Sequence, residues 1–295
     1  MSFAQAWRVS LHGGHSQGFC DHATSPLREM IEAAVARGLH TYGVTEHAPR
    51  TEPRFLYPEE IALGWDVARL ARNFEAYAHT VRALAEEFAD RLEVLCGFEA
   101  EVVPPDRYPE VMLGLRERFG FDYLVGSVHW VDGIPFDYSG DEFTKAVAAY
   151  GGIEGFACRY YETVAEMVRV LEPEVVGHLD LMRKFAGPHD ALDTPAIRRA
   201  AEAALEAMLE HNCIVDVNTV ALRRGLGAPY PAAWLVQMAR EIGLGFCFGD
   251  DSHCAADVGA HLAEARQYLL DNGVHAVTVL ARQDMDLVRR PVPLE

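Results

Sequence analysis

Tyr123-Leu-Val-Gly-Ser-Val-His129 runs short and apolar until it meets a histidine, and the same arrangement recurs along the chain. Thr41–Val44 leads to Thr45-Glu-His47, Leu92–Gly97 to Glu99-Ala-Glu101, and Val175–Gly177 to His178. Trp7–Leu11 leads to His12-Gly-Gly-His15, Ile214–Val217 to Asn218, and Leu244–Phe248 to Asp250-Asp251-Ser-His253. Short, continuously apolar runs are the pattern of strands buried on both faces of a parallel sheet. Helical spacing falls between them, over 66–90, 153–171 and 231–242. It also follows Ser25-Pro26, read as an N-cap and first helical proline with Gly38 as the stop, and it follows Pro195. Seven strand-then-helix units predict an α/β fold, a (β/α)7 barrel in a single domain over 1–295. Ala276–Leu280 is a weaker eighth strand that closes or flanks it. A barrel gathers distant strand ends at one mouth, so the polar residues ending these runs should meet there.

Imidazole and carboxylate are ligands that divalent transition metals favour. Seven histidines (the motif residues plus His22 of Cys20-Asp-His22) and two carboxylates therefore predict a multinuclear metal centre. A lone histidine at a strand end is more often a hydrogen-bonded structural residue, and that reading is kept for His40, His79, His189, His211, His261 and His275. Cys20 and Cys254 flank expected ligands but are read as small buried hydrophobes.

The formal net charge is −18 over 295 residues, which argues against a nucleic-acid duplex or an anionic membrane as main partner. The six cysteines lack CxxC spacing, and the N-terminal stretch from Met1 to Arg8 has no signal-peptide pattern. A cytoplasmic setting is expected. Loops 49–65 and 130–142 are the expected lids over the mouth.

In order along nearly the whole chain, the motifs Thr-Glu-His47, Gly-Phe-Glu99, Gly-Ser-Val-His129, Gly-His178-Leu-Asp, Val-Asn218-Thr and Asp251-Ser-His253 resemble the PHP (polymerase and histidinol phosphatase) superfamily. Phe136-Asp-Tyr-Ser and Arg159-Tyr-Tyr-Glu resemble its monofunctional histidinol-phosphatase branch. The resemblance implies a distorted, TIM-like seven-stranded barrel with two or three divalent ions (zinc, iron or manganese) at its C-terminal mouth. It implies His12, His15 and Asp251 at one ion, Glu99 bridging to a second with His129 and His178, and His22, His47 and His253 at a third. Glu99, Asp251 and His253 would stand at the reacting centre. The family usually opens His-x-His, so the two glycines here require a local bulge before both imidazoles can face the same way.

The implied reaction is hydrolysis of a small phosphate ester, L-histidinol phosphate. Arg159 and Arg223 are the preferred phosphate clamp, with Arg183 and Lys184 next and Arg224 also within reach. Asn218 is expected to contact substrate, and Glu101 to orient a ligand or meet a substrate ammonium. The alternatives are a phosphatase of nucleoside monophosphates or other small esters, a 3′–5′ exonuclease disfavoured by the acidic composition, a non-catalytic metal-binding regulator, and an amidohydrolase. The last would need a carboxylated lysine where His129 stands.

Overall fold

A computed structural model describes residues 5–187, 191–284 and 286–295; His189 lies outside them. The strands are β1 Val9–Ser10, β2 Thr41–His47, β3 Glu93–Ala100, β4 Tyr123–Gly126, β5 Trp130–Val131, β6 Ile134–Pro135, β7 Val175–Val176, β8 Ile214–Asn218, β9 Gly245–Gly249, β10 Ala276–Gln283 and β11 Asp286–Pro293. Seven of them form one sheet in the order β1-β2-β3-β4-β7-β8-β9, every pair parallel. The Leu11 N–H donates to Phe248 O at 2.8 Å, and the amides of Asp250 and Asp251 both donate to His12 O at 2.9 Å. Those bonds bring β1 back to β9 and nearly close the barrel. Two of its strands have only two residues each, which is where it departs from regular barrel form.

Helices cover the outside, among them α1 Leu27–Ala36, α3 Val67–Phe88, α6 Ile153–Leu171, α7 Pro195–Glu210 and α9 Ala233–Glu241, all close to the expected spans. Their buried stripes pack on the outward side chains of the sheet in one extended apolar core. Thr194 caps α7 by accepting the Ile197 N–H. Ser25 does not cap α1: Pro26 takes that position, and the Ser25 hydroxyl accepts the Ala255 N–H at 3.0 Å, tying the first loop to the last. Helices α2 Pro58–Ala62, α4 Tyr108–Phe119, α5 Gly140–Ala149, α8 Val220–Arg223 and α10 Leu262–Asp271 were not anticipated individually. No helix among the described residues is long and apolar enough to cross a membrane.

The barrel interior holds Leu11, Leu95, Tyr123, Val125, Val175, Ile214 and Cys247, with Leu280 joining from β10. Ala276–Leu280 is a strand that flanks the barrel beside β9 and does not close it. It pairs antiparallel with β11, residue by residue from Ala276↔Pro293 to Gln283↔Asp286. The hairpin seals the end of the barrel where strands begin, since the Arg282 N–H donates to Glu93 and its guanidinium to Val94 O. The opposite end is left for chemistry.

Candidate metal centre

Every strand end expected to carry a ligand delivers it to the C-terminal mouth. β2 and β3 are in register with His47 opposite Glu99, so the two side chains rise on the same side, and His47 Nδ1 stands 2.7 Å from Glu99 Oε2. Glu99 is buried at the middle of the group. Its Oε1 faces His12 Nε2 (3.4 Å), His178 Nε2 (3.1 Å) and His129 Nε2 (3.6 Å), while its Oε2 faces His47 and His15 Nε2 (3.7 Å). His15 Nε2 also lies 3.2 Å from Asp251 Oδ1. Farther out, the His22 and His253 rings stack at 4.5 Å.

Gly13 and Gly14 solve the spacing of His12 and His15. A Cβ on Gly13 would sit 2.1 Å from Gly43 O, and one on Gly14 would sit 2.1 Å from the Met30 methyl. The backbone hugs β2 and the last loop through Gly13 N–H to Gly43 O and His15 N–H to Ser252 O. Only glycine fits such close approach. His178 and Asp251 hold left-handed φ of 23° and 46°, backbone strain of the kind that collects at functional sites.

Three carboxylates stand behind the histidines, and two of them hydrogen-bond the nitrogen that faces away from the cluster. Asp216 Oδ2 accepts from His12 Nδ1 at 2.9 Å, Glu46 Oε1 lies 3.4 Å from His15 Nδ1, and Glu101 Oε1 pairs with His129 Nδ1. Each pairing leaves Nε2 pointing at the cluster, the carboxylate–histidine arrangement that metal sites use. Asp216 and Glu46 were not singled out from sequence. A signal existed for Asp216: it sits two residues before Asn218 in Val215-Asp-Val-Asn218, so both face the barrel axis from an otherwise apolar strand.

The electrostatics mark a place for cations. Burial works to raise the Glu99 pKa, but His129, His12 and His47 outweigh it and hold the carboxyl well below 4.5. Burial works to lower His15 and His129, yet Asp251 and Glu46 on one, and Glu101 and Glu99 on the other, carry each up to about 10. Burial, with His15 beside it, drives His253 well below 6.5. In addition, His12 Nε2, His15 Nε2, His47 Nδ1, Glu99 Oε2, His178 Nδ1 and His253 Nε2 are buried without hydrogen-bond partners. Buried polar atoms are rarely left so, and here they converge. Ligand atoms of His12-His15-Glu99, of Glu99-His129-His178 and of Cys20-His22-His47-His253 each lie within 4.8 Å of one another. These residues fit divalent cations.

Above them opens a cavity of about 270 Å³. His22, His47, Glu99, His129, His178, Asp251 and His253 form its floor, and Asp21, Tyr57, Glu59, Glu101, Asp137, Tyr138, Lys184 and Arg224 rise around it. Tyr57 and Glu59 come from loop 49–65, Asp137 and Tyr138 from loop 130–142, so both expected lids reach the mouth. Tyr57 stacks on Tyr138 at 5.6 Å, and a buried Arg50–Glu60 ion pair braces the first lid, with Arg50 lying over the Tyr57 ring.

The expected phosphate clamp is redistributed. Arg159 lies outside the cavity on α6, committed to Asp132 at 2.7 Å and Glu166 at 2.8 Å. Arg223 turns the other way and donates to the carbonyls of Asp250 (2.6 Å) and Asp251 (2.9 Å), so it holds the loop that carries Asp251. Arg183 binds Pro229 O and Asp180 beside a separate recess. Of the four, only Lys184 lines the cavity, bonded to Asp137, and Arg224 joins it on the rim. Asn218 does not reach substrate space either: Nδ2 donates to Asp216 at 2.9 Å and Oδ1 accepts the Val220 N–H at 3.0 Å. Sequence proximity to a strand end could not tell which of two adjacent arginines, Arg223 or Arg224, faces inward. His40, His79, His261 and His275 are exposed and His211 is half-buried, all away from the cavity.

Barrel, mouth and ligand geometry together define an α/β barrel built around a histidine–carboxylate cluster, and comparison with known proteins identifies its family. Residues 12–220 match the PHP domain model, and the chain belongs to that family. It is 31% identical over 279 residues to a probable histidinol-phosphatase of Schizosaccharomyces pombe, covering 93% of this chain and 90% of that protein. It is 28% identical to the histidinol-phosphatase of Saccharomyces cerevisiae, covering 88% of each. The fold also matches a crystal structure of histidinol phosphate phosphatase from Lactococcus lactis subsp. lactis, complexed with zinc, L-histidinol and phosphate. That match has a TM-score of 0.72 and 20% identity, and covers 96% of this chain and 99% of that one.

Proposed function

We propose that this chain is a metal-dependent phosphomonoester hydrolase that converts L-histidinol phosphate and water to L-histidinol and phosphate. The observation that carries the reading is Glu99, a buried carboxylate whose two oxygens face separate histidine groups beneath an open cavity. The naming of relatives across about nine-tenths of the chain supports the substrate.

His12, His15, Asp251 and Glu99 would hold one ion, Glu99, His129 and His178 a second, and His22, His47 and His253 a third. Zinc, iron and manganese all suit nitrogen and oxygen donors, and the zinc in the Lactococcus lactis complex favours zinc. When bound, such ions neutralise phosphate oxygens and lower the pKa of water enough to supply hydroxide near neutral pH. The side chains do the rest. Asp216, Glu46 and Glu101 keep the imidazoles in the tautomer that presents Nε2. Lys184 and Arg224 are assigned to the outer phosphate oxygens, a local attraction that must overcome a chain charge of −18. Asp21, Glu59, Glu101 and Asp137 offer acceptors to the ammonium and imidazole N–H groups of the substrate, and the Tyr57–Tyr138 pair covers its ring. The general acid for the leaving alkoxide is drawn from this rim or from His253, the groups within reach of the cavity. Six unpaired cysteines suit a reducing, cytoplasmic setting.

The test is phosphate release from a panel of L-histidinol phosphate, nucleoside monophosphates and simple alkyl phosphates, with metal content measured on the same preparation. Preference for histidinol phosphate is expected. Turnover of another monoester with none of histidinol phosphate would leave the metal chemistry standing and remove the substrate assignment.

A further inference from the structure

Cys20 was read from sequence as a small buried hydrophobe; it is buried, and polar groups stand beside its sulfur. The side chain is 5% exposed, yet the sulfur faces polar groups, with His22 Nδ1 at 3.3 Å and Nε2 at 3.7 Å. Its ligand atom and those of His22, His47 and His253 all lie within 4.8 Å of one another. In a tetrahedral zinc site with Zn–S near 2.3 Å and Zn–N near 2.0–2.1 Å, neighbouring donors stand roughly 3.3–3.8 Å apart. The set is thus within about 1 Å of closing on an ion, with the half-exposed His22 ring held through Nδ1 by Asp21 Oδ1 at 3.1 Å.

A second feature points the same way. His253 Nε2 is buried without a hydrogen-bond partner. The turn that aims the sulfur is fixed by the Cys20 N–H donating to Ser16 O at 3.0 Å.

We propose that Cys20 is the fourth protein ligand of the ion held by His22, His47 and His253. The inference rests on the metal-centre reading above. One sulfur and three nitrogens form a softer set than the two histidine–carboxylate groups, so this position selects zinc over manganese while the other two accept either. The thiol proton leaves to solvent as the ion enters.

Cobalt(II) reports the sulfur directly. Metal-stripped full-length protein reloaded with cobalt should take up two or three ions and show a near-ultraviolet sulfur-to-cobalt charge-transfer band. Cys20→Ser should lose that band and about one ion while keeping the visible bands of the other sites; Cys254→Ser should keep everything. A parent that takes up two or three cobalt ions without the band overturns the Cys20 assignment alone. So does a band that survives Cys20→Ser or disappears with Cys254→Ser. A parent that binds no cobalt removes the metal-centre reading and this inference together. Should Cys20→Ser fail to fold, X-ray absorption at the zinc edge of the parent decides: a sulfur shell at about 2.3 Å is expected, and a shell of nitrogen and oxygen only refutes it.

Discussion

Replacing Asp216 by asparagine keeps the shape of a fully buried side chain, removes its charge and turns one of its two acceptor oxygens into a donor. One oxygen, Oδ2, accepts from His12 Nδ1 (2.9 Å), from the His178 N–H (3.2 Å) and from Asn218 Nδ2 (2.9 Å). Hydrogen bonds to a charged acceptor contribute about 1.5–3 kcal/mol each and neutral ones about 0.5–1.5, so roughly 1 kcal/mol is lost per bond. The bond to His12 matters most, because the carboxylate keeps the proton on Nδ1 and leaves Nε2 free for a cation. An amide holds that tautomer less firmly. Zinc affinity, measured by competition with a chromophoric chelator, should fall about 10- to 100-fold, with catalytic efficiency falling alongside. Asp216→Ala goes further by stranding three buried donors at about 1–3 kcal/mol each, so thermal stability should drop well below that of Asp216→Asn. Parent-like zinc affinity in Asp216→Asn would refute the orienting role. Equal stability of the two variants would refute the count of donors that depend on this oxygen.

Glu99→Ala should cost more bound metal than any single histidine change, since its two oxygens face different groups; full occupancy by elemental analysis would contradict bridging. Lys184→Ala and Arg224→Ala should each lower kcat/KM for histidinol phosphate about ten- to hundredfold with metal content intact. Arg159→Ala, tied to Asp132 and Glu166 outside the cavity, should stay within about twofold of the parent, as surface substitutions do. The metal-free protein should also show an unusual pH profile, because His15 and His129 are raised to about 10. A raised histidine contributes stability that is fully present below its unfolded value of about 6.5 and is lost as pH rises through about 10. Melting temperature of the stripped protein should fall between about pH 7 and 10, whereas the loaded protein, whose ligands are already deprotonated, should not follow; a flat stripped profile would show that these carboxylates do not hold the protons.

The sequence alone determined the strand ends, and with them nearly all of the side chains that gather at the mouth. Parallel barrel strands point one way, so a residue at the C-terminal end of any of them reaches the same mouth, and local order fixes it without knowledge of neighbours. His12, His47, Glu99, His129, His178 and Asp251 were legible for that reason. What required the tertiary structure was everything set by the direction of a side chain across a gap. Asp216 and Glu46 stand behind imidazoles of other strands, and Asp216 and His12, 204 residues apart, come within 2.9 Å only in the closed barrel. Glu101 was legible as a residue that could orient a ligand, but not that its partner is His129. Arg223 and Arg224 are adjacent in sequence and face opposite ways, because the first is drawn to the Asp250 and Asp251 carbonyls. Long flexible cations are placed by whichever acceptor the fold presents, as Arg159 shows, and no local pattern encodes that choice. The hairpin beneath the barrel is a similar case: Ala276–Leu280 is apolar enough for the sheet, but its backbone pairs with the antiparallel partner 286–293 instead.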